Sequence, residues 1–288
     1  MEVYVHSKND LKKNVIYFLY SLIPLYLYGI YKNGYLLYQR NLIGFLGMFK
    51  LVILLGIGLL IYFGIKKKVT FDLLFASIFV IPLFMSVNVN FLVYAGGILL
   101  YILLSKYYEN VSIVILVLSF FGSFANKMEV LNIFDYSVLD MLFGRNVSGI
   151  GTSNIILGLV LMIVFCFFNI YKKDVSISAL GVFLLLASIF DRSMLLGGNA
   201  YFSCIIIASW SLISPILKNG QIVYGILIGV LGFIFMKYIN IYYGMILAIS
   251  IVSGILSLVD KFSKKINRAL YKVGEGFDKT NDNYELYE

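Results

Sequence analysis

The chain of 288 residues is 61% hydrophobic and 13% charged, with a formal net charge of +8. Soluble domains average about 45–50% apolar and about 25% charged residues, so this composition excludes an ordinary soluble globular protein. Runs such as Leu51–Ile65 do not alternate apolar and polar residues, which argues against a β-barrel and favours transmembrane helices.

The apolar blocks predict an all-α integral membrane protein with about ten transmembrane helices. The first block lacks a small-residue cleavage site, so we expect a retained helix there and no cleaved signal peptide. In chain order, the predicted helices cover 14–31, 43–65, 69–87, 90–107, 111–125, 154–171, 175–190, 194–214, 221–238 and 241–259.

The distribution of basic residues predicts the orientation of these helices. Ten spans place both termini on the same side of the membrane. Six of the 23 basic residues then lie on the opposite side: Lys32, Arg40, Lys127, Arg145, Arg192 and Lys237. Lys50 lies inside the second helix, and the remaining 16 share the side of the termini. Because basic residues accumulate in cytoplasmic segments, both termini are predicted to be cytoplasmic in a multi-pass cell-membrane protein.

Five predicted helices on each side of a central connection divide the chain into two halves. The predicted parts are a first transmembrane half (1–125), a central connection (126–153), a second transmembrane half (154–260) and a cytoplasmic tail (261–288). With an odd number of helices per half, the halves enter the membrane from opposite sides, as inverted five-helix repeats do. Within the connection, Asn132–Gly144 carries apolar residues at helical spacing and is predicted to be an interfacial helix.

The central loop, defined here as residues 144–153 (GRNVSGIGTS), is the main candidate for a binding site. Gly144, Gly149 and Gly151 permit close backbone approach, and Thr152 and Ser153 add hydroxyl groups. The sixth predicted helix begins directly after the loop, so its free N–H groups could receive a phosphate or another anion. The alternative is a plain helix cap, in which Thr152 or Ser153 accepts a hydrogen bond from the first turn.

A second candidate is Ser209–Gly220, which combines the only tryptophan, Trp210, with Pro215 and several hydroxyl groups at a helix end. Interrupted helices are common ligand sites in membrane proteins, and Pro82 could break the third helix in the same way. The sequence contains no paired carboxylates, nucleophile triad or nucleotide-binding motif, so no catalytic residue is predicted. A single histidine excludes a histidine-based metal cluster from this chain alone.

Several stretches, in order, resemble one family of membrane redox subunits. These are His6–Tyr31, the central loop with the apolar run after it, Val175–Ala187, Ala208–Pro215 and Gly220–Asp260. They resemble the D subunit of the Rnf electron-transport complex and its homologue, the B subunit of the sodium-pumping NADH:quinone reductase (the RnfD/NqrB family). The likeness covers most of the chain and is poor between about Leu92 and Asn132.

The resemblance implies ten helices in inverted repeats and membership of an ion-translocating redox complex. Family members carry FMN bound covalently to a threonine of an S/T-G-A-T motif, and often a second, noncovalent flavin. That motif does not occur in this sequence. Ser148–Thr152 imitates it with one extra residue, and Trp210 stands where the family has an aspartate. The chain is therefore expected to be a divergent member that has lost the covalent attachment.

Two functions follow from these observations. The first is a divergent D-type subunit of an Rnf-like translocase, which would couple electron transfer to cation transport beside other membrane subunits. FMN or riboflavin would then be bound noncovalently, and no nucleic acid is expected. The second is a non-redox transporter or channel for a small or flavin-related molecule on the same fold. The predicted cofactor-binding residues are Gly144, Asn146, Gly149, Gly151, Thr152, Ser153, Ser214 and Pro215, with no metal ligand.

Overall fold

The computed structural model describes residues 8–67, 71–105, 110–123, 138–144, 148–168, 172–210 and 213–265. These residues form an all-α protein. In the first part of the chain the helices are α1 (Lys8–Ile30), a π-helical turn (Tyr31–Tyr35), α2 (Leu36–Gln39), α3 (Phe45–Met48), α4 (Lys50–Lys66), α5 (Leu73–Phe84), α6 (Phe91–Leu104), α7 (Val111–Ser123) and α8 (Val138–Leu142).

The second part of the chain contains α9 (Ile155–Phe168), α10 (Lys173–Phe190), a 3₁₀ helix (Arg192–Leu196), α11 (Gly198–Phe202), a π-helical turn (Ser203–Ile207), α12 (Lys218–Tyr238), α13 (Gly244–Gly254) and α14 (Leu256–Lys265). Each of the ten predicted helices overlaps one of these helical segments. The boundaries differ most where a helix is extended, interrupted or bent. Of the predicted interfacial helix Asn132–Gly144, only 138–144 lie within the described residues, and there the structure contains the short helix α8.

Three helices in the described part of the chain are long and apolar enough to cross a membrane. They cover Lys12–Gln39, Lys173–Phe190 and Lys218–Tyr238. A fourth span results if α13 and α14, which meet at a bend of 60°, are counted together. The remaining apolar helices are shorter than the roughly 20 residues that a bilayer crossing needs. The protein is thus an all-α membrane protein, whereas ten spans and inverted repeats stay predictions.

Two short helices lie at the centre of the fold. Ten of the 12 residues of α5 are buried, where the helix packs against α1, α4 and α7. All ten residues of α11 and its π-helical turn are buried as well, against α9, α10 and α13. A helix without a lipid-facing side must satisfy its terminal carbonyl and N–H groups within the protein. The ends of these two helices define the site described next.

Candidate functional site

The backbone of the central loop caps the end of α5. The Ile150 N–H donates to the Met85 carbonyl at 2.8 Å, and the Gly151 N–H donates to the Leu83 carbonyl at 2.9 Å. These carbonyl groups lie in the last turn of α5, where no intrahelical donor remains. The loop therefore supplies the hydrogen bonds that water would supply at an exposed helix end.

Gly149 and Gly151 make this contact possible because they have no side chain. A Cβ atom at Gly149 would lie 2.5 Å from the Leu83 carbonyl oxygen, and one at Gly151 would lie 2.2 Å from Leu83 Cδ2. Both distances are far below van der Waals contact. The predicted role of these two glycines in a close backbone approach is confirmed, and the approaching group is the end of α5.

Asn199, at the start of α11, joins the loop to the second half of the chain. Its Oδ1 accepts hydrogen bonds from the Gly149 N–H at 2.8 Å and from the Thr152 hydroxyl. Its Nδ2 donates to the Tyr242 carbonyl at 3.2 Å. The Tyr242 hydroxyl in turn donates to the Phe84 carbonyl of α5 at 2.5 Å. We call these five residues (Gly149, Thr152, Asn199, Tyr242 and Phe84) the Asn199 network, and all five are buried.

The end of α1 closes the other side of the central loop. Asn33 Nδ2 donates to the Ile150 carbonyl at 2.7 Å, and Lys32 Nζ donates to the Gly144 carbonyl. Both side chains come from the π-helical turn that follows α1, a helical irregularity often found at functional sites. Gly144 itself has a φ of +111°, a backbone conformation that favours glycine. Lys32 thus places a positive charge beside the loop.

The cap of α9 is not one of the residues predicted for it. Asn154 Oδ1 accepts the hydrogen bond of the Leu157 N–H at 3.1 Å, so Asn154 is the N-cap. The expectation that Thr152 or Ser153 would cap this helix is wrong. Thr152 lies two residues earlier, where its hydroxyl is directed to Asn199 instead.

The second candidate stretch lies at the opposite end of α11. Lys172 Nζ donates to the Ser214 carbonyl at 2.6 Å, and Gln221 Nε2 donates to the Pro215 carbonyl at 3.2 Å. Burial lowers the pKa of the Lys172 ammonium to about 8, an effect that the nearby Asp260 carboxylate opposes. Eight helical residues, 200–207, lie between Asn199 and this end, which corresponds to about 12 Å along a helix. The structure therefore does not bring Ser214 and Pro215 together with the central loop.

Sequence reasoning found the loop but missed its partners. Asn199, Tyr242, Lys32 and Asn33 were not predicted, although Asn199 is a polar residue in an apolar block, which is itself a functional signal. Of the predicted residues, Asn146 lies outside the described residues.

The loop as folded does not fit a phosphate group. The N–H groups of Gly149, Ile150 and Gly151, which could cradle an anion, already donate to protein oxygens. The Thr152 hydroxyl is fully buried and bonded to Asn199. A flavin phosphate here would require these hydrogen bonds to break first. The assignment of the loop to cofactor binding stays a prediction. In the described part of the chain, His, Cys, Asp and Glu form no group that could hold a metal ion.

The fold defines the class of protein. It is an all-α membrane protein in which buried polar groups connect the two parts of the chain. The chain matches the NQR2, RnfD, RnfE family over residues 106–268 and belongs to that family. The matched region contains the central loop, Asn199, Ser214 and Tyr242. No curated protein matches the chain. The family points to a membrane subunit of Rnf/Nqr-type complexes, and it confirms the resemblance drawn from the sequence motifs.

Proposed function

We propose that this protein is a divergent D-type membrane subunit of an Rnf-like complex that couples electron transfer to cation transport. The family match over 106–268 is the observation that carries the proposal. The other membrane subunits of the complex are its partners. The chain supplies a scaffold in which the central loop, α5 and α11 are held together by hydrogen bonds in the apolar interior.

Any flavin in this subunit is proposed to be FMN or riboflavin held noncovalently. A phosphoester to Thr152 needs a threonine hydroxyl that a phosphate can reach. The Thr152 hydroxyl has no exposed surface and is bonded to Asn199, which supports the noncovalent form. The burial of the Thr152 hydroxyl also favours the second candidate, a non-redox transporter for a small molecule on this fold. Without a reachable threonine hydroxyl, there is one reason fewer to expect a resident flavin.

The proposed topology is ten spans in two inverted halves with both termini in the cytoplasm. Contacts between residues distant in sequence support this topology, because residues predicted to lie on the same side of the membrane are in contact. On the outer side, Lys32 bonds Gly144 and Lys237 lies 3.8 Å from Asp191. On the cytoplasmic side, the Lys12 ammonium lies 5.3 Å from the centre of the Phe71 ring.

Visible absorption of the protein, purified in mild detergent from cells that make flavin, separates the two candidates. The redox proposal predicts a flavin spectrum and release of the flavin by acid. Flavin that stays attached after acid denaturation would contradict noncovalent binding, and Thr152→Val would then show whether Thr152 is the attachment point. A folded but colourless protein that moves a solute into proteoliposomes without redox partners would favour the transporter.

A further inference from the structure

A cleft with a volume of about 270 Å³ lies between α6 and α7. Buried residues form its floor, among them Tyr101 and Leu118, which are 4% and 1% exposed. Exposed side chains form its rim: Leu100 is 58% exposed, Leu104 is 56% exposed and Val117 is 43% exposed. The α6–α7 cleft is therefore open on the outer surface of the protein and closed toward the interior.

The two helices determine the length of the cleft. At one end, Gly97 on α6 packs tightly against α7, so that a Cβ atom there would lie 2.4 Å from Leu118 Cδ2. Leu104 and Asn110 lie at the other end, next to the short connection between the helices. Leu104 follows Gly97 by seven residues, which corresponds to about 10 Å along a helix.

The lining of the cleft is apolar. Of the nine described residues that line it, none is charged and seven are glycine, valine, leucine or isoleucine. The two others are Tyr101 and Asn110. The Asn110 amide is engaged with α7 and α13, because its Oδ1 accepts from the Ser112 N–H at 3.0 Å and its Nδ2 donates to the Ser253 hydroxyl at 2.7 Å. A ligand of this cleft must be mainly apolar, since a charged group would lose its hydration without compensation.

The size of the cleft corresponds to a short length of hydrocarbon chain. A cavity of about 150 Å³ accommodates benzene, so by proportion the cleft accommodates about ten carbon atoms. An unbranched chain of this length can lie along the cleft. A helix is about 10–12 Å across, so only single side chains of a neighbouring helix could enter. Because the exposed rim of an all-α membrane protein faces the bilayer, lipid tails are the hydrocarbon chains at hand.

We propose that the α6–α7 cleft binds one acyl chain of a membrane phospholipid. Lipid tails are as apolar as leucine side chains, so close packing stabilises the bound chain and the hydrophobic effect contributes little. The cleft makes no contact with the headgroup through a charged side chain, so phospholipids with different headgroups should bind alike. The proposal depends on the location of the protein in a membrane and is independent of the proposed redox function.

Photo-crosslinking of the full chain in lipid nanodiscs tests the proposal. The probe is a phosphatidylcholine with a diazirine midway along one acyl chain, and the labelled residues are identified by mass spectrometry of peptides. Val117 in the cleft and Val52 on α4 are matched, because they are the same residue type and are 43% and 45% exposed. A bound chain should label Val117 about fivefold more than Val52, a ratio equivalent to about 1 kcal/mol. Equal labelling would indicate ordinary contact with lipid and would overturn the proposal.

A variant shows whether the labelling comes from the cleft itself. Val117→Trp fills part of the cleft, so labelling of Leu100 should fall by about the same fivefold factor. Val52→Trp is the control and should leave the labelling of Leu100 unchanged, because Val52 does not line the cleft. Labelling of Leu100 that persists in Val117→Trp would overturn the proposal.

The same probe in native membranes tests the site in the assembled protein and needs no variant. Val117 should again be labelled more strongly than Val52. If Val117 is labelled in nanodiscs but not in native membranes, another protein covers the cleft there, and the proposed lipid site is wrong.

Discussion

Asn199 is the residue on which the connection between the central loop and the second half depends. Its side-chain oxygen accepts two hydrogen bonds, and its amide nitrogen donates a third to the Tyr242 carbonyl. A single side chain thus serves the loop, α11 and the segment before α13. No pattern in the sequence could pair Asn199 with Thr152, because 47 residues separate them along the chain.

We expect Asn199→Ala to destabilise the protein by roughly 2 kcal/mol, since it leaves the Thr152 hydroxyl and the Tyr242 carbonyl buried without their partner. Thermal unfolding in detergent measures this loss. Asn88→Ala is the control, because Asn88 is exposed. Equal melting temperatures for the two variants would show that the Asn199 network contributes nothing to stability.

Lys172 predicts a pH dependence of stability. Burial lowers the pKa of its ammonium from 10.5 to about 8 in the folded protein. Between these values the unfolded chain binds more protons, so the contribution of Lys172 to the free energy of unfolding rises with pH from about 8 toward 10.5. As the pH rises from 7.5 to 9.5, the Tm of the wild type should therefore increase relative to the Tm of Lys172→Met. A difference that stays constant over this range would contradict the lowered pKa, and the exposed neighbour Lys173 provides the control Lys173→Met.

Among the elements, α5 shows most clearly what local sequence can and cannot predict. Asp72 accepts a hydrogen bond from the Phe75 N–H at 2.8 Å and so fixes the start of the helix at Leu73, later than the predicted residue 69. The helix ends at Phe84, earlier than the predicted residue 87, because the central loop and Tyr242 take over its terminal carbonyls. That second boundary depends on residues more than 60 positions away.

Two other predicted helices differ from the structure, one because it continues further and one because it is divided. The first helix was predicted to end at residue 31, but helical structure continues through the π-helical turn to Gln39. Gly34, in that turn, packs directly against the Met48 backbone, where a Cβ atom would lie 2.3 Å from the carbonyl oxygen. The predicted helix 194–214 is divided into a 3₁₀ helix, α11 and a π-helical turn. Apolar periodicity located these elements but could not resolve changes of helix type within one block.

The contact between the loop and α5 predicts different outcomes for the same substitution at two glycines. Gly149→Ala places a methyl group 2.5 Å from the Leu83 carbonyl oxygen, so we expect a loss of several kcal/mol or a failure to fold. Gly56→Ala, on α4, meets nothing within 4 Å and should be neutral or stabilising by up to about 1 kcal/mol, because alanine favours the helix. Expression level and Tm in detergent compare the two variants. Similar values would contradict the tight packing of the loop.

For the whole molecule, the uneven distribution of basic residues along the sequence predicts its orientation in the membrane. Single cysteines are introduced at Lys66, Lys173 and Lys237, with Cys166 and Cys204 replaced, and are labelled from either side of the membrane. Labels at positions 66 and 173 should react only from the cytoplasm, and a label at 237 only from outside. Reaction of all three from one side would contradict the proposed ten spans.

The family match points to a membrane subunit, and the all-α fold with its apolar helices agrees with a protein of the membrane. The most direct measurement is purification of the tagged chain from its native membranes in mild detergent, with the copurifying subunits identified and the flavin spectrum recorded. The proposal predicts that redox subunits copurify in fixed proportion and that the electron-transfer activity of the membranes follows the tagged protein. A folded protein that purifies without redox subunits, and whose removal leaves membrane electron transfer unchanged, would contradict the proposed function.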